Sequence, residues 1–180
     1  MQKPTDLAGT LLALVASTSW DGGTELLRTL RAILERWAPF DAGEVALYDG
    51  KEIRRWSLAD PEDWVAASDM VLHVSLEKAP LRADDLPDLE SFSRTQGRMR
   101  ICGLRALLAL PLAAAGGPDG AVVLARSFGW AFAGAPMGFL SPVVGMAGLC
   151  LERALALTAL RREVDHLRER KGRVSASEEP

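Results

Sequence analysis

Gly103-Leu104-Arg105-Ala106-Leu107-Leu108-Ala109-Leu110-Pro111-Leu112 is followed, after three alanines, by Gly116-Gly117-Pro118-Asp119-Gly120-Ala121-Val122-Val123-Leu124-Ala125-Arg126. One apolar run closes on a proline, the chain passes through a Gly/Pro/Asp turn, and a second apolar run emerges. That pattern describes two buried antiparallel strands joined by a short connection. A second hairpin lies upstream, where Val45-Ala46-Leu47-Tyr48 and Ile53-Arg54-Arg55-Trp56 flank Asp49-Gly50, a strong two-residue turn signal.

Helices fill the intervals. Leu7, Leu11, Leu14 and Val15 recur at helical spacing and predict a short helix ending near Ser17 to Trp20. After Asp21-Gly22-Gly23, Thr24 is placed to cap a second helix with Leu26, Leu27, Leu30, Ile33, Leu34 and Trp37 on its apolar side, stopped by Pro39. Asp60-Pro61-Glu62-Asp63 reads as a helix start, because proline suits the first helical position and acids suit the positive end of the dipole. Trp64, Val65, Met70, Val71, Val74 and Leu76 would be the buried side of that third helix. A short extended segment around 79–86, a helical piece over Leu89 to Thr95 and a loop from Phe128 to Pro136 complete the middle of the chain. From Met137 the pattern is helical to about Arg170, with a kink or restart expected at Ser141-Pro142. Hairpins interleaved with helices predict an α+β fold: a five- to six-stranded antiparallel sheet, helices packed on one face, and a long C-terminal helix. The expected division is an N-terminal helix over 1–22, a domain over 23–156, an output helix over 157–172 and a polar tail over 173–180.

Composition narrows the class. The 180 residues are 48% hydrophobic and 25% charged, with net charge −3, as for an ordinary globular domain with no basic footprint for nucleic acid. Cys102 and Cys150 stand alone in apolar surroundings and read as thiols of a reducing compartment, not as a disulfide frame or zinc site. There is no signal-peptide pattern at the N-terminus and no run read as long enough to span a bilayer, so a cytoplasmic protein is expected. His73 lies among Met70, Val71, Leu72 and Val74 without a second ligand at metal spacing, and His166 lies in a charged stretch. No nucleophile motif surrounds either histidine, and Gly116 to Gly120 lacks the lysine of a phosphate loop. Neither an enzyme nor a metal or cofactor site is expected.

Leu157, Leu160, Val164 and Leu167 step by three, four and three inside a charged helix, a heptad seam suited to pairing with its copy in a second chain. The plainer alternative is a solvated helix docking one edge on its own domain.

The central hairpin resembles that of GAF domains, in which a segment such as "G-V-R-S-L-L-A-V-P-L" precedes "G-V-L-V-L-A". Leu76 to Leu86 is similar to the family's "gkPLvvpDl" stretch, Phe132 to its loop phenylalanine, and Phe139-Leu140 through Leu151-Glu152-Arg153-Ala154 to its closing helix. The likeness runs from Thr24 to Leu160; it departs at Ala135-Pro136-Met137, where an acidic residue is usual. The resemblance implies a small sensory and regulatory module with a pocket between the sheet's concave face and the short helices. Trp56, Trp64, Met70, His73, Phe92, Met99, Cys102, Arg105 and Leu108 are its candidate walls, though the same side chains would equally fill a core. Arg98 and Arg100 would favour an anionic ligand. The signatures of cyclic-nucleotide-binding, bilin-binding and methionine-sulfoxide-reducing members are missing; Arg100 and Arg105 near Cys102 leave redox sensing as a lesser alternative. Bacterial proteins with a similar "R-R-E-V-x-x-L-R" helix, here Arg161 to Arg168, commonly continue into an AAA+ ATPase and a DNA-binding domain of sigma-54-dependent regulators. The resemblance therefore implies a homodimer that binds an unknown small molecule and controls a downstream effector. The alternative is a ligand-free dimerisation scaffold of a histidine kinase or other signalling protein.

Overall fold

A computed structural model of the chain describes residues 6–18, 23–48, 51–59, 66, 68–116 and 119–177, with backbone alone at 59 and 171–177. The Asp49-Gly50 turn, Asp60 to Val65 and Gly117-Pro118 lie outside the described residues. In chain order the elements are α1 (Leu7–Ala16), α2 (Thr24–Trp37), β1 (Ala42–Tyr48), β2 (Ile53–Ala59), α3 (Ser68–Glu77), β3 (Leu81–Ala83), a 3-10 turn (Leu86–Leu89), α4 (Ser93–Ile101), β4 (Ala106–Leu112), β5 (Asp119–Arg126) and α5 (Met137–Ser177).

The strands form one five-stranded sheet in the order β2-β1-β5-β4-β3, antiparallel throughout. Both predicted hairpins are present: Tyr48 pairs with Ile53 at the end of the first, and Leu112 with Gly120 at the end of the second. Strands β1, β4 and β5 divide their side chains between two cores by the two-residue alternation of extended chain. Val45, Leu47, Ala106, Leu108, Leu110, Leu112, Val122 and Leu124 face one way, onto Leu14, Leu26, Leu30 and Leu34 of α1 and α2 and onto Leu140, Val143, Val144 and Leu151 of α5. Ala42, Ala46, Leu107, Ala109, Ala121, Val123 and Ala125 face the other way, onto Met70, Val71 and Val74 of α3 and Met99 of α4. The expected packing of α2 and α5 on one face is present, and the short helices cover the second face. Burying each large aliphatic side chain contributes about 1.5–3 kcal/mol, so both layers matter to stability.

Local details depart from expectation for physical reasons. Gly23, not Thr24, occupies the cap position of α2, with φ +91°, a left-handed conformation that glycine adopts without a Cβ clash. A Cβ there would also meet Leu151 Cδ1 at 2.8 Å. Leu76 is 72% exposed, because it lies off the stripe made by Met70, Val71 and Val74. The helical piece expected over Leu89 to Thr95 is instead the 3-10 turn followed by α4. Gly103, at φ +68°, closes α4, with the Leu104 amide donating to the Met99 carbonyl at 2.8 Å.

Helix α5 is continuous through Pro142 and does not restart there. It extends to Ser177, into the stretch expected to be a polar tail. By length and composition it is also apolar enough to cross a membrane, with a mean hydropathy of 1.6 over its most apolar window, which corrects the reading that no run reaches that length. In the folded chain many of those apolar residues face the sheet: Phe139, Leu140, Val143, Val144, Ala147, Cys150, Leu151 and Ala154 are all buried.

Candidate ligand site

Among the described residues, the predicted wall side chains do not surround a common cavity. Trp56 and Leu108 face the α2/α5 core. Trp56 pairs across the strands with Val45 and shares its side of the sheet, while Leu108 alternates with Leu107 and so faces away from α3 and α4. Met70 and Met99 are fully buried and fill the second core, with Phe92 and Cys102 half-buried at its margin. His73 is exposed and meets the edge of the Phe92 ring at a centroid distance of 5.0 Å. Arg105 is exposed and committed to Asp85, donating from Nε at 3.1 Å and from Nη2 at 2.5 Å. Trp64 lies outside the described residues.

A different hollow, of about 560 Å³, opens on the α3/α4 side between β2, the start of α3 and one face of α4. Strand β2 contributes Arg55, the start of α3 contributes Ser68, and α4 contributes Ser93, Arg94, Gly97 and Arg98, with Ala66 and Ile101 at the sides. Helix α4 turns this face to the hollow because Thr95 and Met99, one turn apart, are its buried residues. Its position is further fixed by the Thr95 hydroxyl, which donates to Asp69 Oδ1 at 2.8 Å near the start of α3. An ideal Cβ built at Gly97 would meet nothing within 4 Å, so the hollow adjoins the helix backbone itself.

Behind Arg55 lies Glu44, whose side chain is 3% exposed and accepts a hydrogen bond from Arg55 Nη1 at 2.6 Å. Alternation along β1 puts Glu44 on the same side as Ala42 and Ala46, and Ala46 pairs with Arg55. Burial pushes the Glu44 pKa up to about 7, although Arg55, the Ala66 amide and the charge of Arg98 all favour the carboxylate. The sequence reading had singled out Arg98 as an anion-seeking residue; it missed Glu44, Arg55, Arg94 and Gly97. A lone acid inside the apolar strand Ala42–Tyr48 was the available signal for Glu44.

A second hollow of about 450 Å³ lies between the end of α2 and the start of α5, beside Trp37, Pro39 and Pro136. Its guanidinium, that of Arg36, lies over the Trp37 ring at 5.2 Å.

Beyond the core, α5 presents Leu160, Val164 and Leu167, which are 58%, 44% and 54% exposed. Leu160 and Val164, with Leu157, Arg161, Asp165 and Arg168, line a shallow groove of about 380 Å³.

Comparison with known proteins gives the fold a name. No family model matches the chain, and no curated protein matches it in sequence. Among solved structures it is similar to a GAF domain/HD domain protein from Geobacter sulfurreducens (18% identity, TM-score 0.55, covering 78% of this chain and 97% of that one). It is also similar to the nlh2 GAF domain of A. aeolicus in an inactive state (16%, 0.52, 84% and 98%). A third similar structure is the GAF domain of a two-component sensor histidine kinase from Bacillus halodurans (11%, 0.50, 71% and 91%). The chain has a GAF-like α+β fold.

Proposed function

We propose that this GAF-like domain is a sensory module that takes a small molecule on its α3/α4 side and signals through pairing of α5. The carrying observation is that one helix has two roles along its length. Phe139 to Ala154 pack under the sheet, and Leu157, Leu160, Val164 and Leu167 continue as an apolar stripe past the core. Ligand occupancy on the far side of the sheet would bias β1 and β2, and through the shared core would bias the set of α5. The stripe steps at heptad intervals with charges on the remaining faces, so a second copy is its natural cover. A switchable module of this kind is in keeping with the A. aeolicus GAF domain, whose structure is of an inactive state. The effector we favour is the AAA+ and DNA-binding portion of a sigma-54-type transcription regulator in a cytoplasmic protein, from the Arg161 to Arg168 pattern.

A second reading is a ligand-free dimerisation scaffold of a sensor kinase. It is favoured by Met70 and Met99, which fill the second core with 0% exposure, and by the sensor histidine kinase context of the Bacillus halodurans domain.

Two measurements test these readings. Sedimentation at tens of micromolar should give a dimer, and Leu160→Glu should give a folded monomer, because Leu160 is already 58% exposed in the protomer. A monomeric wild type, or a dimeric Leu160→Glu, removes the pairing model. Native mass spectrometry before and after mild denaturation separates sensor from scaffold by whether a bound compound is released.

A further inference from the structure

We propose that the hollow between β2 and α4 binds a small phosphate-bearing molecule, with Arg55, Arg94 and Arg98 on its oxyanion and Gly97 keeping the helix surface clear for its body. The proposal rests on the reading of the α3/α4 side as the ligand side and names the chemistry of that site.

Three arginines line one cavity, and no acidic residue is among its described lining residues. Ser68 and Ser93, at the starts of α3 and α4, add hydroxyls, and α4 adds a helix N-terminus with no acid in its first turn, whereas Asp69 already occupies that of α3. Donors arriving from a strand and two helices surround a tetrahedral, multiply charged oxyanion better than a planar carboxylate, which one guanidinium fork already satisfies. Glu44 sits behind Arg55 and fixes the guanidinium in the wall by a bond at 2.6 Å. The same contact means that a bound anion shares Arg55 with a buried carboxylate, so binding at β2 reaches β1 directly.

Gly97 is the independent sign of an occupant. Glycine is a poor residue for the middle of a helix, and nothing among the described residues would obstruct a Cβ there. Packing therefore does not explain its presence, whereas the close approach of a ligand to the helix backbone does. The cavity, at about 560 Å³, has room for an organic body beside the phosphate, with Ala66 and Ile101 as apolar sides.

The test is titration of the full chain with inorganic phosphate at constant ionic strength, followed by calorimetry and backbone NMR shifts of α4. Saturable binding with shifts around Ser93 to Arg98 is expected. It should weaken at least about tenfold in the Arg94→Gln/Arg98→Gln double variant. Because Gly97→Leu projects into open space, it should fold and lose binding to organic phosphates, glycerol 3-phosphate serving as the probe. Gly97→Ala, whose Cβ stands where the body of the ligand would lie, should weaken glycerol 3-phosphate at least several-fold while leaving inorganic phosphate within about twofold of wild type, and Arg105→Gln, which alters an arginine outside the cavity, should bind unchanged. No saturable binding by the wild type overturns the proposal. So does binding that survives the double variant, or that falls equally in Arg105→Gln. A co-purifying ligand without phosphate would end the phosphate assignment and leave the sensory reading standing. Phosphate binding that leaves amide exchange in α5 unchanged would leave the site standing and end the sensory reading.

Discussion

At position 44 the chain buries a carboxylate on a strand that otherwise offers alanines to that face, Ala42 and Ala46. Its pKa, raised by burial from the ordinary 4.5 to about 7, makes the protonated form the one the fold prefers. Glu44 therefore contributes stability that is fully present below pH 4.5 and is lost as pH rises through 7. Between those values the folded state holds the extra proton, and the slope of unfolding free energy approaches about −1.4 kcal/mol per pH unit from this residue. Urea midpoints should fall from pH 5 to pH 8 in the wild type, and Glu44→Gln should flatten that decline. Glutamine keeps an oxygen for Arg55 and the Ala66 amide, so an undiminished decline in this variant would assign the pH dependence elsewhere. Asp85 acts in a different window: hydrogen bonds from Arg105 hold its carboxyl below the ordinary range, and that contribution is lost only in acid. Gly23 supplies a second residue-level test. Alanine there takes on a left-handed backbone and a Cβ 2.8 Å from Leu151, so Gly23→Ala should lower stability by about 1–3 kcal/mol in chemical denaturation. The acid in strand β1 was visible in the sequence. Its partner was not, because Glu44 stands opposite Ser57 and Arg55 opposite Ala46, a diagonal contact on one face that follows only once the register of the hairpin is known.

Among the elements, the two hairpins and helices α1, α2 and α5 were legible because turn chemistry and apolar spacing agree in each. Helix α4 was not, since Ser93–Ile101 buries only Thr95 and Met99, a stripe too sparse to stand out among arginines. Strand β4 misled in the opposite way. It is apolar on both faces, so nothing along Ala106–Leu112 says which residues look toward α3 and which toward α5. Leu108 was assigned to the wrong core for that reason. The contact of α5 with this strand is tight: a Cβ at Gly148 would stand 2.5 Å from the Ala113 carbonyl oxygen. Gly148→Val should therefore prise the helix from the sheet and cost about 1–3 kcal/mol, read as a lower thermal midpoint with native helicity below it. A neutral result would mean that α5 docks more loosely than this geometry requires.

For the whole molecule, local stability should be graded from the centre of the sheet outward. Amides of β4 and β5, buried between two helical layers, should exchange most slowly with solvent, and those of 157–170 rapidly in a dilute protomer. If α5 pairs, raising the protein concentration should slow exchange across 157–170 while leaving β4 and β5 unchanged, by mass action alone. Concentration-independent exchange there would contradict pairing. The continuity of α5 has a mechanical consequence. At 1.5 Å per residue the helix runs about 40 Å from Leu151 to Ser177, clamped at one end by a close-packed interior. Such a rod is a lever: a tilt of about 5° at the clamp displaces its tip by roughly 3 Å. A displacement too small to disturb a single core rotamer class beneath the sheet thus becomes, at the far end, a movement comparable to the step between neighbouring side chains.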